Sequence, residues 1–256
     1  MIKLHSETFG QGAPVVLVHG WAMHSGVWRD FARALAQHYR VTCIDLPGHG
    51  HSETISPFTL EQIGAALAAS LPEQPCYWLG WSLGGTVVLD VAERFPERVI
   101  SLALLAGNPL FMQTGTWPGM EARLLDAFAD GVSENRQATL LRFLSLQVNG
   151  LADCKVLLKK LKASMLECDV PDPGTLLGGL EILKKLDLRP AFSRLTCPVS
   201  VILGGKDLLI PASIADQLPQ LNANCEVHIL DASGHVPFLS HQQEVLAIVS
   251  RFFSQG

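Results

Sequence analysis

Gly80-Trp81-Ser82-Leu83-Gly84 constrains this chain more than any other stretch, because of what stands on either side of it. Alone the pattern says little. With Gly and Ser each about 7% of residues, Gly-x-Ser-x-Gly arises by chance in about one chain in ten of this length. Here Cys76-Tyr77-Trp78-Leu79 reads as a short buried strand running into the motif, and Gly84-Gly85-Thr86-Val87-Val88-Leu89-Asp90-Val91-Ala92 as the helix leaving it. Strand, tight turn and helix are the setting of a nucleophile elbow. Gly80 and Gly84 leave room for the sharp turn, and Ser82 is expected in a strained conformation with its hydroxyl presented. The plain alternative is a glycine-rich turn with an ordinary serine, and it weakens once the serine has partners.

A serine hydroxyl is a weak nucleophile at neutral pH and needs a base, which in turn needs an orienting carboxylate. Behind this kind of elbow the chain order is Ser, then Asp or Glu, then His. His235 lies in Asp231-Ala232-Ser233-Gly234-His235-Val236-Pro237-Phe238, just past the strand-like Glu226-Val227-His228-Ile229-Leu230. Asp207 follows the apolar run Val199-Ser200-Val201-Ile202-Leu203 through Gly204-Gly205-Lys206. Both loops sit beyond the carboxyl ends of predicted strands, where open α/β sheets place their ligands. The rivals fit less well. His228 lies inside its strand, His241 begins the last helix and His38 ends an early one, while His49, His51 and Asp45 precede the serine. Asp231 ends a strand but stands only four residues before His235, and it remains the second choice for the acid. The candidate triad is Ser82, Asp207 and His235.

An oxyanion formed by attack of Ser82 on a carbonyl needs two donors. One is expected from the backbone N–H of Leu83, the residue after the nucleophile. The second should come from the loop after an early strand. Pro14-Val15-Val16-Leu17-Val18-His19-Gly20-Trp21 supplies that strand and loop, so the Trp21 N–H is the expected partner, with its indole beside the acyl chain. A core role for Trp21 is compatible with this. His19 is expected to brace the loop.

The 256 residues suffice for one α/β domain with an insertion. With 48% hydrophobic and 17% charged residues, the chain is a globular protein and not a disordered one. A net charge of −5 gives no general reason to expect nucleic acid or an anionic membrane as partner. No run of about 18 apolar residues suggests a membrane span, and Met1-Ile2-Lys3-Leu4-His5-Ser6-Glu7 lacks the apolar core of a signal peptide. Cys43, Cys76, Cys154, Cys168, Cys197 and Cys225 show no metal-ligand spacing and read as small hydrophobes in a reducing cytoplasm. No cofactor and no metal are expected, and a monomer is the expected state.

Strand candidates are 15–18, 41–45, 76–79, 99–106, 199–203 and 226–230, several of them continuous apolar runs, as strands covered on both faces should be. Helical patterns fall between and after them at 27–37, 60–70, 84–95 and 243–253. This rhythm predicts an α/β fold, a mostly parallel central sheet covered by helices on both faces. It breaks between about Phe111 and Arg189, where 124–129, 136–147 and 152–166 read as amphipathic helices, broken by Asn149-Gly150 and by Pro171-Asp172-Pro173-Gly174. The expected organisation is a core of residues 1–110 and 190–256 with a helical lid, 111–189, inserted over the carboxyl edge of the sheet.

Elbow, Asp and His loops and helical insertion together resemble the α/β-hydrolase superfamily over essentially the whole chain. More narrowly, four segments resemble the pimeloyl-[acyl-carrier protein] methyl ester esterases of biotin synthesis: 78–85, Trp117-Pro118-Gly119, Arg142-Phe143-Leu144-Ser145-Leu146-Gln147, and 178–189, which opens Gly178-Gly179-Leu180-Glu181-Ile182-Leu183-Lys184. The elbow is widely shared among hydrolases; the last two segments fall in the lid, where unrelated hydrolases diverge. The resemblance implies that Trp21, Leu83, Phe143, Leu144, Ser145, Leu146 and Gln147 line the substrate site with Ser82 and His235. Phe143 and Gln147, four apart, share a helical face; packing of the lid on the core is the alternative use of that face.

The resemblance also implies an acyl-carrier protein bearing a methyl-esterified pimeloyl chain as partner, docked by lid cations, with Arg142, Lys155 and Lys159 at matching positions. Ala138 departs from this pattern, since an arginine is expected there. Lys155, Lys159 and Lys162, spaced i, i+4, i+7, form one helical face with Lys160 adjacent; a solvated face is the plain reading. Two other classes stay open. One is a different serine hydrolase, such as a short-chain carboxylesterase, thioesterase or C–C bond hydrolase; the other is a non-catalytic ligand receptor on the same scaffold. Relatives that release halide or open epoxides use an aspartate at the elbow, so Ser82 speaks against them.

Overall fold

The continuous apolar runs become the inner strands of one sheet. The structure, a computed structural model, describes residues 2–71 and 73–255. In chain order its elements are β1 (Ser6–Phe9), β2 (Ala13–Val18), α1 (Arg29–Leu35), β3 (Tyr39–Ile44), α2 (Leu60–Ser70), β4 (Cys76–Trp81), α3 (Leu83–Arg94), β5 (Val99–Leu105), α4 (Ala122–Val148), α5 (Cys154–Met165), α6 (Pro173–Lys185), α7 (Arg189–Arg194), β6 (Val199–Gly204), α8 (Leu218–Leu221), β7 (Cys225–Leu230), α9 (Pro237–Ser240) and α10 (Gln242–Phe253). Among the described residues the strands form a seven-stranded sheet in the order β1-β3-β2-β4-β5-β6-β7, parallel except where β1 runs antiparallel to β3. β4 and β6 are buried along their whole length, because helices cover both faces.

Strand order reverses beside β2, which pairs with β3 on one side and β4 on the other. Such a switch point opens a crevice at the carboxyl ends of the two strands. Register brings further ends level: Val18 pairs with Gly80, Gly80 with Leu104, Leu105 with Ile202, and Gly204 with Leu230. The loops after β2, β4, β6 and β7 therefore open toward one edge of the sheet.

Four local features differ from expectation. β1 was not foreseen, since its four residues alternate between exposed and half-buried and add only an edge. The pattern over 27–37 resolves into a 3-10 turn, Ser25–Trp28, followed by the shorter α1. The breaker sequence around Pro173 instead begins α6: Asp172 Oδ1 caps the Thr175 N–H at 3.1 Å, and Pro173 stands at the first turn, where its missing N–H costs nothing. The two helices expected over 124–147 form one run, α4, interrupted at Asn135 (φ −150, ψ 83), whose Oδ1 accepts the Ala138 N–H and restarts the helix. No strand lies between β5 and β6 among the described residues, and α4, α5, α6 and α7 fall in that interval.

Candidate active site

Ser82 stands between β4 and α3 with φ 55 and ψ −119, a backbone conformation that costs energy for any residue with a side chain. Its surroundings hold it there. The Ser82 N–H donates to the Leu105 carbonyl at 3.1 Å and its carbonyl accepts the Gly85 N–H at 2.8 Å. A Cβ at position 80 would strike the Gly84 carbonyl, and one at position 84 would strike that of Val18, so both flanking glycines are required for this turn.

The Ser82 hydroxyl lies 2.8 Å from His235 Nε2, and His235 Nδ1 lies 2.7 Å from Asp207 Oδ2. Asp207 Oδ1 accepts the backbone N–H groups of Leu209 (2.8 Å) and Ile210 (3.1 Å), which aims the other oxygen at the imidazole. A carboxylate only accepts, so Nδ1 carries the proton and Nε2 faces the serine as acceptor. His235 is fully buried, and Ser82 and Asp207 nearly so. Asp231, the second choice, is exposed and its backbone packs against Gly205; His235 turns to Asp207.

The Trp21 and Leu83 N–H groups have no acceptor among the described residues. Leu83 opens the twelve-residue α3, whose N-terminus favours negative charge. The loop bearing Trp21 is held by His19, whose Nδ1–H donates to the Gly20 carbonyl at 2.8 Å while Nε2 accepts the Leu46 N–H at 3.0 Å. Burial, with His49 beside it, brings the His19 pKa down to about 3, which keeps the ring neutral for that pair of bonds. The rival histidines stand apart from the triad: His49 is buried, with its Nδ1–H donating to Pro47, His228 pairs with Glu226 at 2.9 Å, His241 bonds Ser240, and His38 and His51 are exposed. Asp45 accepts the N–H groups of Ser25 and His51 and so shapes its own loop.

From α4, Phe143 meets the Trp21 indole edge to face at 4.8 Å, Leu144 is buried, and Leu146 is half-buried. Gln147 is buried; its carbonyl accepts the His235 N–H at 3.2 Å, and its side-chain amide has no partner among the described residues. Ser145 is a correction. Two residues from both Phe143 and Gln147, it points away from them and is exposed, its hydroxyl donating to the Leu141 carbonyl. Arg142 is exposed and lies 5.9 Å over the Phe128 ring, while Lys155, Lys159, Lys160 and Lys162 are exposed and free of ion pairs among the described residues.

Sequence reasoning missed what α6 contributes. The Trp21 indole N–H donates to the Leu176 carbonyl at 2.9 Å, and Gly179 packs so tightly on that indole that a Cβ would lie 2.6 Å from Cδ1. Gly178 is pressed in the same way against Phe58. The Gly178-Gly179 pair was the available signal, since adjacent glycines inside a helix weaken it unless close packing demands them.

Residues 13–242 match the family described as alpha/beta hydrolase fold. The chain belongs to the α/β-hydrolase family. Within it, this hydrolase is 40% identical over 253 residues to the "Pimeloyl-[acyl-carrier protein] methyl ester esterase" of Methylococcus capsulatus, covering 99% of both chains. It is 39% identical to the protein of the same name from Nitrosomonas europaea, over 96% of this chain and 98% of the other. Among solved structures, an esterase from Exiguobacterium antarcticum superposes with a TM-score of 0.88 at 22% identity (98% and 95% of the two chains). The enol-lactonase of Burkholderia xenovorans does so with 0.86 at 23% (99% and 97%). At that identity the structural likeness speaks for the fold alone.

Proposed function

We propose that this hydrolase is a serine esterase that cleaves the methyl ester of a pimeloyl chain carried on an acyl-carrier protein, releasing methanol in biotin synthesis. The observation that carries the chemistry is the unbroken line Ser82 Oγ, His235, Asp207, with bonds of 2.8 and 2.7 Å. The substrate follows from the relatives named above, similar over nearly the full length.

His235 takes the Ser82 proton as Oγ attacks the ester carbonyl. The negative charge that builds on the carbonyl oxygen is received by the N–H groups of Trp21 and Leu83, fixed in a site from which water is largely excluded. His235 then protonates the departing methoxide and leaves the acyl-enzyme. Water attacks that ester by the same proton path and frees the acid, with Asp207 holding the imidazole throughout. No step calls on a metal or cofactor. Trp21, Leu83, Phe143, Leu144 and Leu146 bound the acyl chain, and the unpartnered Gln147 amide meets a polar part of it.

The helices of residues 111–189 act as a lid on the core formed by 1–110 and 190–256. Arg142, Lys155 and Lys159 steer the acidic carrier protein to it, and Lys160 and Lys162 extend the patch. The enzyme works as a cytoplasmic monomer. Among the described residues no helix is long and apolar enough to cross a membrane.

Methanol release from methyl pimeloyl carrier protein and from free methyl pimelate, assayed beside thiol release from a pimeloyl thioester, tests this reading. Preference for the carrier-linked methyl ester with the thioester left intact is expected. Faster thioester cleavage makes the protein a thioesterase instead.

A further inference from the structure

The geometry points to Trp81, the residue between Gly80 and Ser82, as a positioning residue that fixes His235 together with the lid. This rests on the reading of Ser82, His235 and Asp207 as the triad. The His235 main chain is gripped at both ends. Its carbonyl accepts the Trp81 indole N–H at 2.7 Å, and its own N–H donates to the Gln147 carbonyl at 3.2 Å. The first grip comes from the end of β4 and the second from α4 of the lid, so the ring keeps both nitrogens for Ser82 and Asp207.

Trp81 suits the task because it cannot turn away. It is 1% exposed, with Phe238 at 5.0 Å and Trp28 at 6.3 Å between ring centroids, and Gly20 lies against its other side. A two-torsion side chain so enclosed presents its N–H in one direction at little entropic cost. Its backbone also leads directly into Ser82. One residue thereby ties nucleophile to base, and a displacement of either is felt by both. Alignment of this kind matters because a misplacement of about 1 Å costs roughly a hundredfold in rate. The Gln147 grip adds a dependence on the lid: when α4 leaves its seat, the His235 N–H loses its acceptor.

Trp28 provides an internal control. It belongs to the same aromatic cluster, is fully buried and packs on Phe238 at 4.4 Å, yet its indole nitrogen has no partner among the described residues. Trp28→Phe and Trp81→Phe remove the same bulk, and only the second removes a hydrogen bond. Hydrolysis of p-nitrophenyl acetate by the full-length variants is the assay. Trp81→Phe should lower kcat by about tenfold to a hundredfold with KM held within about twofold, and Trp28→Phe should leave both within about twofold. The low-field proton resonance of the His235 Nδ1–H···Asp207 bond should broaden in Trp81→Phe alone. Benzothienylalanine at position 81 keeps the indole shape without its N–H, and it should reproduce the loss even where the Phe variant folds poorly. Equal losses in Trp81→Phe and Trp28→Phe, or unchanged kcat with benzothienylalanine, overturn the positioning role. Ser82→Ala run alongside separates the two readings. If it stays active the triad fails, and if it is inactive while the position 81 variants keep their kcat, only the role of Trp81 falls.

Discussion

Phe143 stands edge-on to Trp21, 4.8 Å between centroids at 84°, and edge-on to Phe128 at 5.4 Å on its other side. A side chain of α4 is thus locked against the residue whose N–H is proposed to receive the oxyanion. Removing the ring opens the proposed acyl site while leaving the proposed reacting groups in place. Phe143→Ala should weaken discrimination among methyl esters of different chain length by about 1–3 kcal/mol, the usual scale for apolar pocket changes. The measurement is kcat/KM across a series of dicarboxylic acid monomethyl esters. An unchanged profile accompanied by a lower Tm confines Phe143 to packing α4 on the core.

Loss of the proposed nucleophile or base should be drastic. Ser82→Ala and His235→Ala should each lower turnover by about three orders of magnitude or more, and the double variant should be little worse than either, because the residues act as a unit. Asp207→Asn keeps the shape but removes the charge that holds the imidazole, and should also be severely impaired. Near-normal hydrolysis by well-folded Ser82→Ala or His235→Ala would remove the triad, and a fluorophosphonate that labels wild type but not Ser82→Ala supports it independently.

Stability responds to pH through groups outside the reaction. Asp90 is buried on α3 beside Arg94 at 3.3 Å; burial raises its pKa from 3.8 to about 6 despite that partner. The folded state therefore binds more protons than the unfolded state between those values. The contribution of Asp90 is full below pH 3.8 and is lost as pH rises through 6. Asp90→Asn should consequently raise Tm by about 2–4 °C at pH 8 and leave it nearly unchanged at pH 4, with Arg94 retaining its bond to the Glu61 carbonyl. His19 works in the opposite sense. Its pKa, lowered from 6.5 to about 3, gives stability that is present above 6.5 and lost as pH falls toward 3. A thermal melt series across these pH values checks both; a gain from Asp90→Asn that is the same at pH 4 and pH 8 refutes the first.

What the sequence could reveal depended on whether a feature was periodic or individual. The inner strands were legible because burial on both faces leaves unbroken apolar runs such as Val199-Ser200-Val201-Ile202-Leu203, whereas β1 has four residues and one ordinary edge. Ser82, Asp207 and His235 were legible as an order of motifs. That His235 turns to Asp207 and not to Asp231, only four residues away, depends on how two strand ends meet in space. Pro173 read as a stop because Asp-Pro suits both a loop and a helix start, and only the cap to Thr175 distinguishes them. The bond from Trp81 to the His235 carbonyl spans 154 residues and involves a backbone atom, which leaves no trace in residue identity.

The proposed carrier-docking face is open to the most direct test. Lys155, Lys159, Lys160 and Lys162 project from α5 without carboxylate partners among the described residues, in a chain of net charge −5. Val156, 57% exposed, lies next to Lys155 and one turn from Lys159 and Lys160, so the patch is charged around an apolar centre. Ala138 supplies no cation to it, which leaves α5 and Arg142 for the proposed steering. A patch of this kind speeds encounter with an acidic protein and loses effect as salt screens it. A neutral small ester needs no steering. Lys155→Glu combined with Lys159→Glu should therefore raise KM for methyl pimeloyl carrier protein, by about tenfold or more at low salt and less at high salt, and leave p-nitrophenyl acetate hydrolysis nearly intact. If both substrates respond alike, or neither does, the lysines of α5 are only a solvated helix face.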